Sequence, residues 1–353
     1  MDWQALPHSG EIESPTRQLG DATTVFVVVG LMGNPSDGFY GKTVSMLIGN
    51  FYAEVSLRPS EALVLEPNPR LDPSSFESLT AYHAHANLCG YYGGLRVVQA
   101  TVKKFLDLCL AAGVDLGGAG NFAARYDTNI PRMVGLSGSS AIVVAAFRCL
   151  LRFYKLDSNK DLGIKPEALP QVVLDVETKE LGIAAGLQDR VIQVYGGLVH
   201  MDFTVMDPSN GGLSHGLYTR LDPSLLPPLY LAFDTDAGGE SGRAHSDVRA
   251  RWNAGDPLVK EGMAAVASLA DGLKNALGTK SYHEIPALMR ANFGWRRRMY
   301  GDAVVGERMI GLIELARSLG FAAKFTGEAQ KASGSQENGS TSCFGAGDSE
   351  TRS

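Results

Sequence analysis

The segment Thr128-Asn129-Ile130-Pro131-Arg132-Met133-Val134-Gly135-Leu136-Ser137-Gly138-Ser139-Ser140-Ala141, followed at once by the apolar run 142–151, constrains this chain more than any other. A strand pattern over 121–126 leads into it, so the order is strand, glycine and serine loop, helix. In that order the first N–H groups of the helix have no partner within it, and the positive end of the helix dipole faces the loop. Such a place suits an anion, and a phosphate above all. Gly135 and Gly138 supply the positive φ and close approach that a phosphate cradle needs. Ser139 or Ser140 can cap the helix or offer a hydroxyl to a bound Mg²⁺. The helix, predicted from Ser139 to Tyr154, is apolar nearly all round and is expected inside the fold, with its N-terminus aimed at the site. An ordinary capped turn would share some of these features. The commoner nucleotide loops do not fit, because the chain has neither a Gly-x-x-x-x-Gly-Lys-Ser/Thr run nor a Gly-x-Gly-x-x-Gly after a strand.

A chain of 353 residues that is 44% hydrophobic can bury one large core or two smaller ones, and two lobes are expected. The formal charge of −6, without a basic stripe, argues against a nucleic-acid partner. Cys89, Cys109, Cys149 and Cys343 lack metal-ligand spacing, which predicts free thiols in a reducing compartment. The run 25–32 is too short to span a bilayer and too far from the start for a signal peptide. A cytoplasmic protein with no membrane partner is therefore expected.

Residues 1–23 mix Pro, Ser, Gly and acids without periodicity and predict an unstructured leader. Strands are predicted over Val25–Leu31, Thr43–Ile48 and Tyr52–Leu57, with a turn-rich loop between the first two that carries Asp37 and Lys42. A helical pattern fills 93–112. Another over 170–181 runs into Gly182-Ile183-Ala184-Ala185-Gly186-Leu187-Gln188-Asp189-Arg190. An acid such as Asp189, in a glycine-flanked turn beside apolar segments, would be partly desolvated and held in place, which suits a group that orients or deprotonates a hydroxyl. Leu229–Phe233 reads as a strand, and helices are predicted over 257–277, 283–299 and 304–319. Residues 328–353 are rich in Gly, Ser, Glu and Gln and predict a tail that does not fold.

The stretch Pro131–Ala141 resembles the second motif of the GHMP kinases, and Gly30-Leu31-Met32-Gly33-Asn34-Pro35-Ser36-Asp37 stands where their first motif lies. Together with Gly186–Arg190 and Ser241–Arg249, the wording is most similar to the branch that phosphorylates glucuronate. The resemblance covers about residues 30–327. It implies an α+β, two-lobed GHMP kinase fold: an N-terminal lobe like ribosomal protein S5 domain 2 over 24–215 and a ferredoxin-like C-terminal lobe over 216–327 that lacks its last strand.

The resemblance also implies ATP and Mg²⁺ as cofactors and D-glucuronate as substrate, phosphorylated at its anomeric hydroxyl to 1-phosphoglucuronate. By the same likeness Pro131, Gly135, Leu136, Ser137, Gly138, Ser139, Ser140 and Ala141 hold ATP, Ser140 and Glu177 hold Mg²⁺, and Asp189 is the base. Asn34 and Asp37 touch substrate, and a guanidinium from Arg190, Arg243 or the triple Arg296-Arg297-Arg298 meets the substrate carboxylate. Three departures stand out. The family's basic residue in the first motif is matched here by Val28, which leaves Lys42, the basic side chain of that loop, as the candidate for the catalytic cation. Relatives place a Glu eleven residues before the Asp, where this chain has Thr178, with Glu177 beside it. The glycine-rich third motif does not follow Gly327. A kinase for a neutral sugar of the galactose or arabinose type, or a fold that binds without turnover, is the alternative expectation.

Overall fold

The computed structural model describes residues 2–5, 16–89, 93–118, 120–131, 135–183, 185–210, 213–233, 242–327 and 343–347. The strands are β1 (Asp2–Ala5), β2 (Thr16–Leu19), β3 (Ala22–Met32), β4 (Lys42–Ser60), β5 (Val64–Leu65), β6 (Asn121–Thr128), β7 (Leu198–Asn210), β8 (Leu213–Leu221), β9 (Leu229–Phe233), β10 (Phe321–Phe325) and β11 (Cys343–Gly347). The helices are α1 (Leu79–Cys89), α2 (Leu95–Ala111), α3 (Gly138–Phe153), α4 (Leu169–Asp175), α5 (Gln188–Tyr195), α6 (Gly242–Asn253), α7 (Pro257–Thr279), α8 (Ile285–Tyr300), α9 (Asp302–Val305) and α10 (Glu307–Ser318).

A seven-stranded sheet is built on β4, which pairs antiparallel with β3 along one edge. Its other edge is shared between β7, at Lys42–Met46, and β6, at Ala53–Ser60. The sequence reads as two strands here, but β4 is continuous, with a shift of register against β3 between Phe26 and Val27. Asn129 from the loop segment stabilises the irregularity: its side chain accepts from Tyr52 N at 2.7 Å and donates to Asn50 O at 3.1 Å. The residues between the two predicted strands are thus bulged backbone satisfied by a distant amide.

The smaller sheet has the order β1-β9-β11-β10, antiparallel throughout. Three expectations about the chain ends are corrected here. Asp2–Ala5 and Thr16–Leu19 form strands inside the predicted leader, and Cys343–Gly347 inserts between β9 and β10 inside the predicted tail, so the smaller sheet does have a further strand. Ladder hydrogen bonds use backbone groups alone, so a sheet with open edges recruits segments whose side chains carry no hydrophobic signal. The missing third motif falls on 328–342, outside the described residues.

The hydrophobic interior runs from one lobe into the other, because α7 is apolar on two sides. Its Ala270, Leu273 and Leu277 join the core formed by β3, β4 and α3, while Val259, Met263 and Val266 pack with Phe293, Ile313 and Phe325 of the smaller lobe. A polar seam crosses at the same level. Gly30 N donates to Thr326 O at 3.0 Å, and Lys324, 1% exposed, donates to Gly30 O at 2.8 Å and to Asn34 Oδ1 at 2.7 Å. Gly30 has no room for a side chain, since a Cβ would lie 2.4 Å from Thr326 O and 2.7 Å from Gln188 Nε2. A second clamp joins β4 and β7 to α7: Lys42 Nζ lies 2.9 Å from Asp271 and 3.3 Å from Asp202, and His200 Nε2 lies 2.9 Å from the other Asp271 oxygen.

Gly30→Ala is expected to cost about 1–3 kcal/mol in denaturant unfolding. Gly294→Ala, where a Cβ in α8 meets open space, is expected to be neutral or to gain about 0.5–1 kcal/mol. The clamp also gives stability a pH dependence. Burial, against the pull of Asp271, holds the His200 imidazole below its ordinary value. The unfolded chain therefore takes up the proton more readily, and stability falls as pH drops below about 6.5. Melting measured at about pH 7.5 and about pH 5.5 should show a larger loss for the native chain than for His200→Gln, whose amide still reaches Asp271 but does not titrate there.

Candidate active site

The loop before α3 turns through positive φ at Gly135 (72°) and Ser137 (56°), and not at Gly138 as its sequence suggested. A non-glycine residue holds that conformation because its carbonyl is gripped: Ser137 O accepts from Ser140 Oγ at 3.0 Å, Gln193 Nε2 at 3.0 Å and Ala141 N at 3.2 Å. No side chain of Ser137 caps the helix, and the first turn of α3 carries no acid. The N–H groups there therefore meet the loop as an anion site would require. The smaller lobe reaches the same loop, since a Cβ on Gly327 would stand 2.6 Å from Gly135 O.

Across from this terminus lies Glu177, fully buried, in a π-helical turn over Val176–Glu180. A π turn closes its hydrogen bonds over five residues rather than four. The side chain facing Glu177 is Ser139, whose Oγ donates to Oε1 at 2.6 Å. Ser140, expected on the metal, is fully buried, and its hydroxyl donates to Ser137 O at 3.0 Å, so Ser139 and not Ser140 is the serine bonded to Glu177.

Arg190 ties the site together. Its Nε and Nη2 donate to Glu177 Oε2 at 2.7 and 2.5 Å, and its Nη1 donates to Gly186 O at 3.0 Å and to Asp189 Oδ2 at 3.4 Å. Arg190 and Glu177 are both buried, whereas Asp189 keeps 30% of its side chain exposed. Asp189 is thus the member of the trio that a ligand can reach. Arg190 was expected as one of three candidates for the substrate carboxylate; its guanidinium is instead taken up by this chain's own acids and carbonyl.

The first-motif residues divide. Asp37, on a 3₁₀ turn over Ser36–Phe39, accepts from Gln188 N at 3.4 Å, and a Cβ on Gly186 would touch its Oδ2 at 2.3 Å, so it abuts the turn that leads into Asp189. Asn34, expected to touch substrate, is 3% exposed. Its amide serves the seam between lobes, meeting Lys324 and the carbonyls of Phe325 and Thr326, while its own carbonyl accepts from Asn292 at 3.1 Å. Lys42 is also redirected, held in the clamp with Asp202 and Asp271; its bond to Asp271 keeps the ammonium above its ordinary value. Val28, at the position where the family carries a base, lies 2% exposed in an apolar cluster with Leu187, Val191 and Ile192 beneath α5. The Arg243 side chain lies outside the described residues, as do residues 132–134 of the loop. Sequence reasoning missed Lys324, although it stands only three residues before Gly327, where the family's third motif is expected to begin.

Among the described residues no group of three or more His, Cys, Asp or Glu could hold a metal ion, and no helix is long and apolar enough to cross a membrane. Replacing Arg190 by Met would leave Glu177 buried without its partner, and a loss of about 3–5 kcal/mol in denaturant unfolding is expected. The double variant Arg190→Met with Glu177→Met should recover most of that loss, because no unpaired charge remains.

The GHMP kinases N terminal domain family matches residues 96–197, from α2 through the loop and Asp189 to the approach to β7. Glucuronokinase 1 of Arabidopsis thaliana is 49% identical over 302 residues, 86% of this chain and 81% of that protein. Among solved structures, the phosphomevalonate kinase of Streptococcus pneumoniae superposes with a TM-score of 0.64 at 12% identity, covering 94% of this chain and 92% of the other. The mevalonate kinase of Methanococcus jannaschii gives 0.61 at 15% identity, with coverage of 94% and 92%. The structural likeness carries the two-lobed fold and the sequence identity carries the family: this chain belongs to the GHMP kinases, a family of ATP-dependent kinases, and within them to the glucuronokinases.

Proposed function

We propose that this chain transfers the γ-phosphoryl group of ATP to the anomeric hydroxyl of D-glucuronate, giving ADP and 1-phosphoglucuronate. One observation carries the reading. A single buried guanidinium, Arg190, holds the accessible carboxylate of Asp189 and the buried carboxylate of Glu177, and Glu177 in turn meets Ser139 at the uncapped N-terminus of α3. A candidate base, an oxygen pair fit for a hard cation and an anion cradle thus lie on one connected chain of hydrogen bonds.

The loop 135–141 and the first turn of α3 would hold the nucleotide phosphates through backbone N–H groups and the helix dipole. The Ser139 hydroxyl and the Glu177 carboxylate, 2.6 Å apart, are the hard oxygen donors that Mg²⁺ prefers, and Mg²⁺ in kinases takes its other ligands from phosphates and water. When bound, Mg²⁺ neutralises charge on the phosphate oxygens. Asp189 accepts the proton of the anomeric hydroxyl as its oxygen attacks phosphorus in line with the departing ADP oxygen. Arg190 fixes the direction of Asp189 by pinning it to Glu177 and to Gly186 O. Asp37 presses on the turn that starts α5, so the base sits on a backbone held from both sides. Positioning and charge stabilisation then supply most of the acceleration.

In a coupled ADP-release assay, Asp189→Asn is expected to lower kcat by about 10²- to 10⁴-fold while the KM for ATP stays within about twofold of the native value. Near-native turnover in that variant, or native turnover of neutral sugars in preference to glucuronate, would contradict the proposal.

A further inference from the structure

Resting on the glucuronate reading above, we propose that Arg249 of α6 is the guanidinium that receives the substrate's carboxylate. Its guanidinium lies over the Phe39 ring, 4.1 Å from the centroid, and donates to Gly38 O. Both contacts are with the turn 36–39, whose Asp37 touches Gly186 and Gln188 beside Asp189. Gly38 and Asp37 are neighbours, about 3.8 Å apart at Cα. Arg249 and Asp189 therefore flank one short turn.

The substrate's chemistry asks for that spacing. In a pyranose uronate the carboxylate is carried by C5 and the reactive hydroxyl by C1, and both carbons are bonded to the ring oxygen. A site that places the C1 hydroxyl on a base must therefore offer a cation one ring edge away. A guanidinium stacked on an aromatic face presents its N–H edge in plane, the geometry that a carboxylate meets with two hydrogen bonds. Gly38 keeps the approach narrow, because a Cβ there would lie 3.2 Å from Arg249 Nη2.

The other candidate arginines whose side chains are described stand elsewhere. Arg190 is held by Glu177 and Asp189, Arg297 grips both oxygens of Asp302, and Arg298 is exposed on α8 over Trp295 rather than over the turn 36–39. Arg296 is 2% exposed and donates to Gly327 O at 2.5 Å. On the same helix as Arg249, Arg251 is bonded to Asp256 at 2.8 Å and to Met299 O at 2.7 Å. Arg249 is half-buried and held by a ring and a carbonyl, contacts that position a positive charge without cancelling it.

The test uses the full chain, with glucuronate as substrate and glucuronamide, its uncharged isostere, as a competing ligand. Arg249→Gln should raise the KM for glucuronate about 10- to 100-fold while the inhibition constant of glucuronamide and the KM for ATP stay within about threefold of native. Arg249→Lys, which keeps the charge but not the fork, should recover part of the loss, and it stands in if the Gln variant does not fold. Equal losses for glucuronate and glucuronamide, or no loss for either, would overturn the assignment while leaving the kinase reading intact. A native chain that does not phosphorylate glucuronate at all would overturn both.

Discussion

The site depends on one buried ion pair. Glu177 has no exposure to water, and a carboxylate so placed is sustained only by a partner of matching geometry and by further hydrogen bonds. Arg190 supplies the fork and Ser139 the remaining bond, so the π turn before α5, the turn at Gly186 and the N-terminus of α3 are fixed relative to one another. Asp189 inherits its position from this arrangement through the one Arg190 contact that reaches it. The same pair that keeps the core tolerable thereby aims the acid that solvent can reach.

A second constraint comes from how the lobes meet. β10 and the residues just after it meet Gly30, Asn34 and Gly135, so the strand that closes the smaller lobe also backs the loop before α3. Lys324 has three oxygen partners in this seam and is almost wholly buried, which makes it a strut between lobes. With α7 shared between two cores and the Lys42, Asp202, Asp271 and His200 clamp outside the site, lobe position is held by apolar packing and by charge together.

The loop was legible in the sequence because its chemistry is local: glycines, serines and an apolar helix occur in the order that exposes backbone donors. Asp189 was expected in a glycine-flanked turn, but it stands in the first turn of α5, just after the turn at Gly186. Which of Ser139 and Ser140 bonds to Glu177 was not legible, since neighbouring helical residues point about 100° apart and only the partner across the gap decides. Nor could the sequence show that Asn34 and Lys42 face the lobe seam and clamp. Those outcomes depend on Lys324, Asn292 and Asp271, which lie more than two hundred residues away in the chain. The strands at the two ends escaped notice because pairing of backbone groups leaves little mark on side-chain patterns.

The most direct measurement is a crystal structure of the chain with a non-hydrolysable ATP analogue and glucuronate. The account predicts phosphates on the N–H groups of residues 135–140, with the anomeric oxygen within hydrogen-bond reach, about 2.6–3.2 Å, of the Asp189 carboxylate. A nucleotide seated elsewhere, or a sugar whose anomeric oxygen is turned away from Asp189, would contradict it.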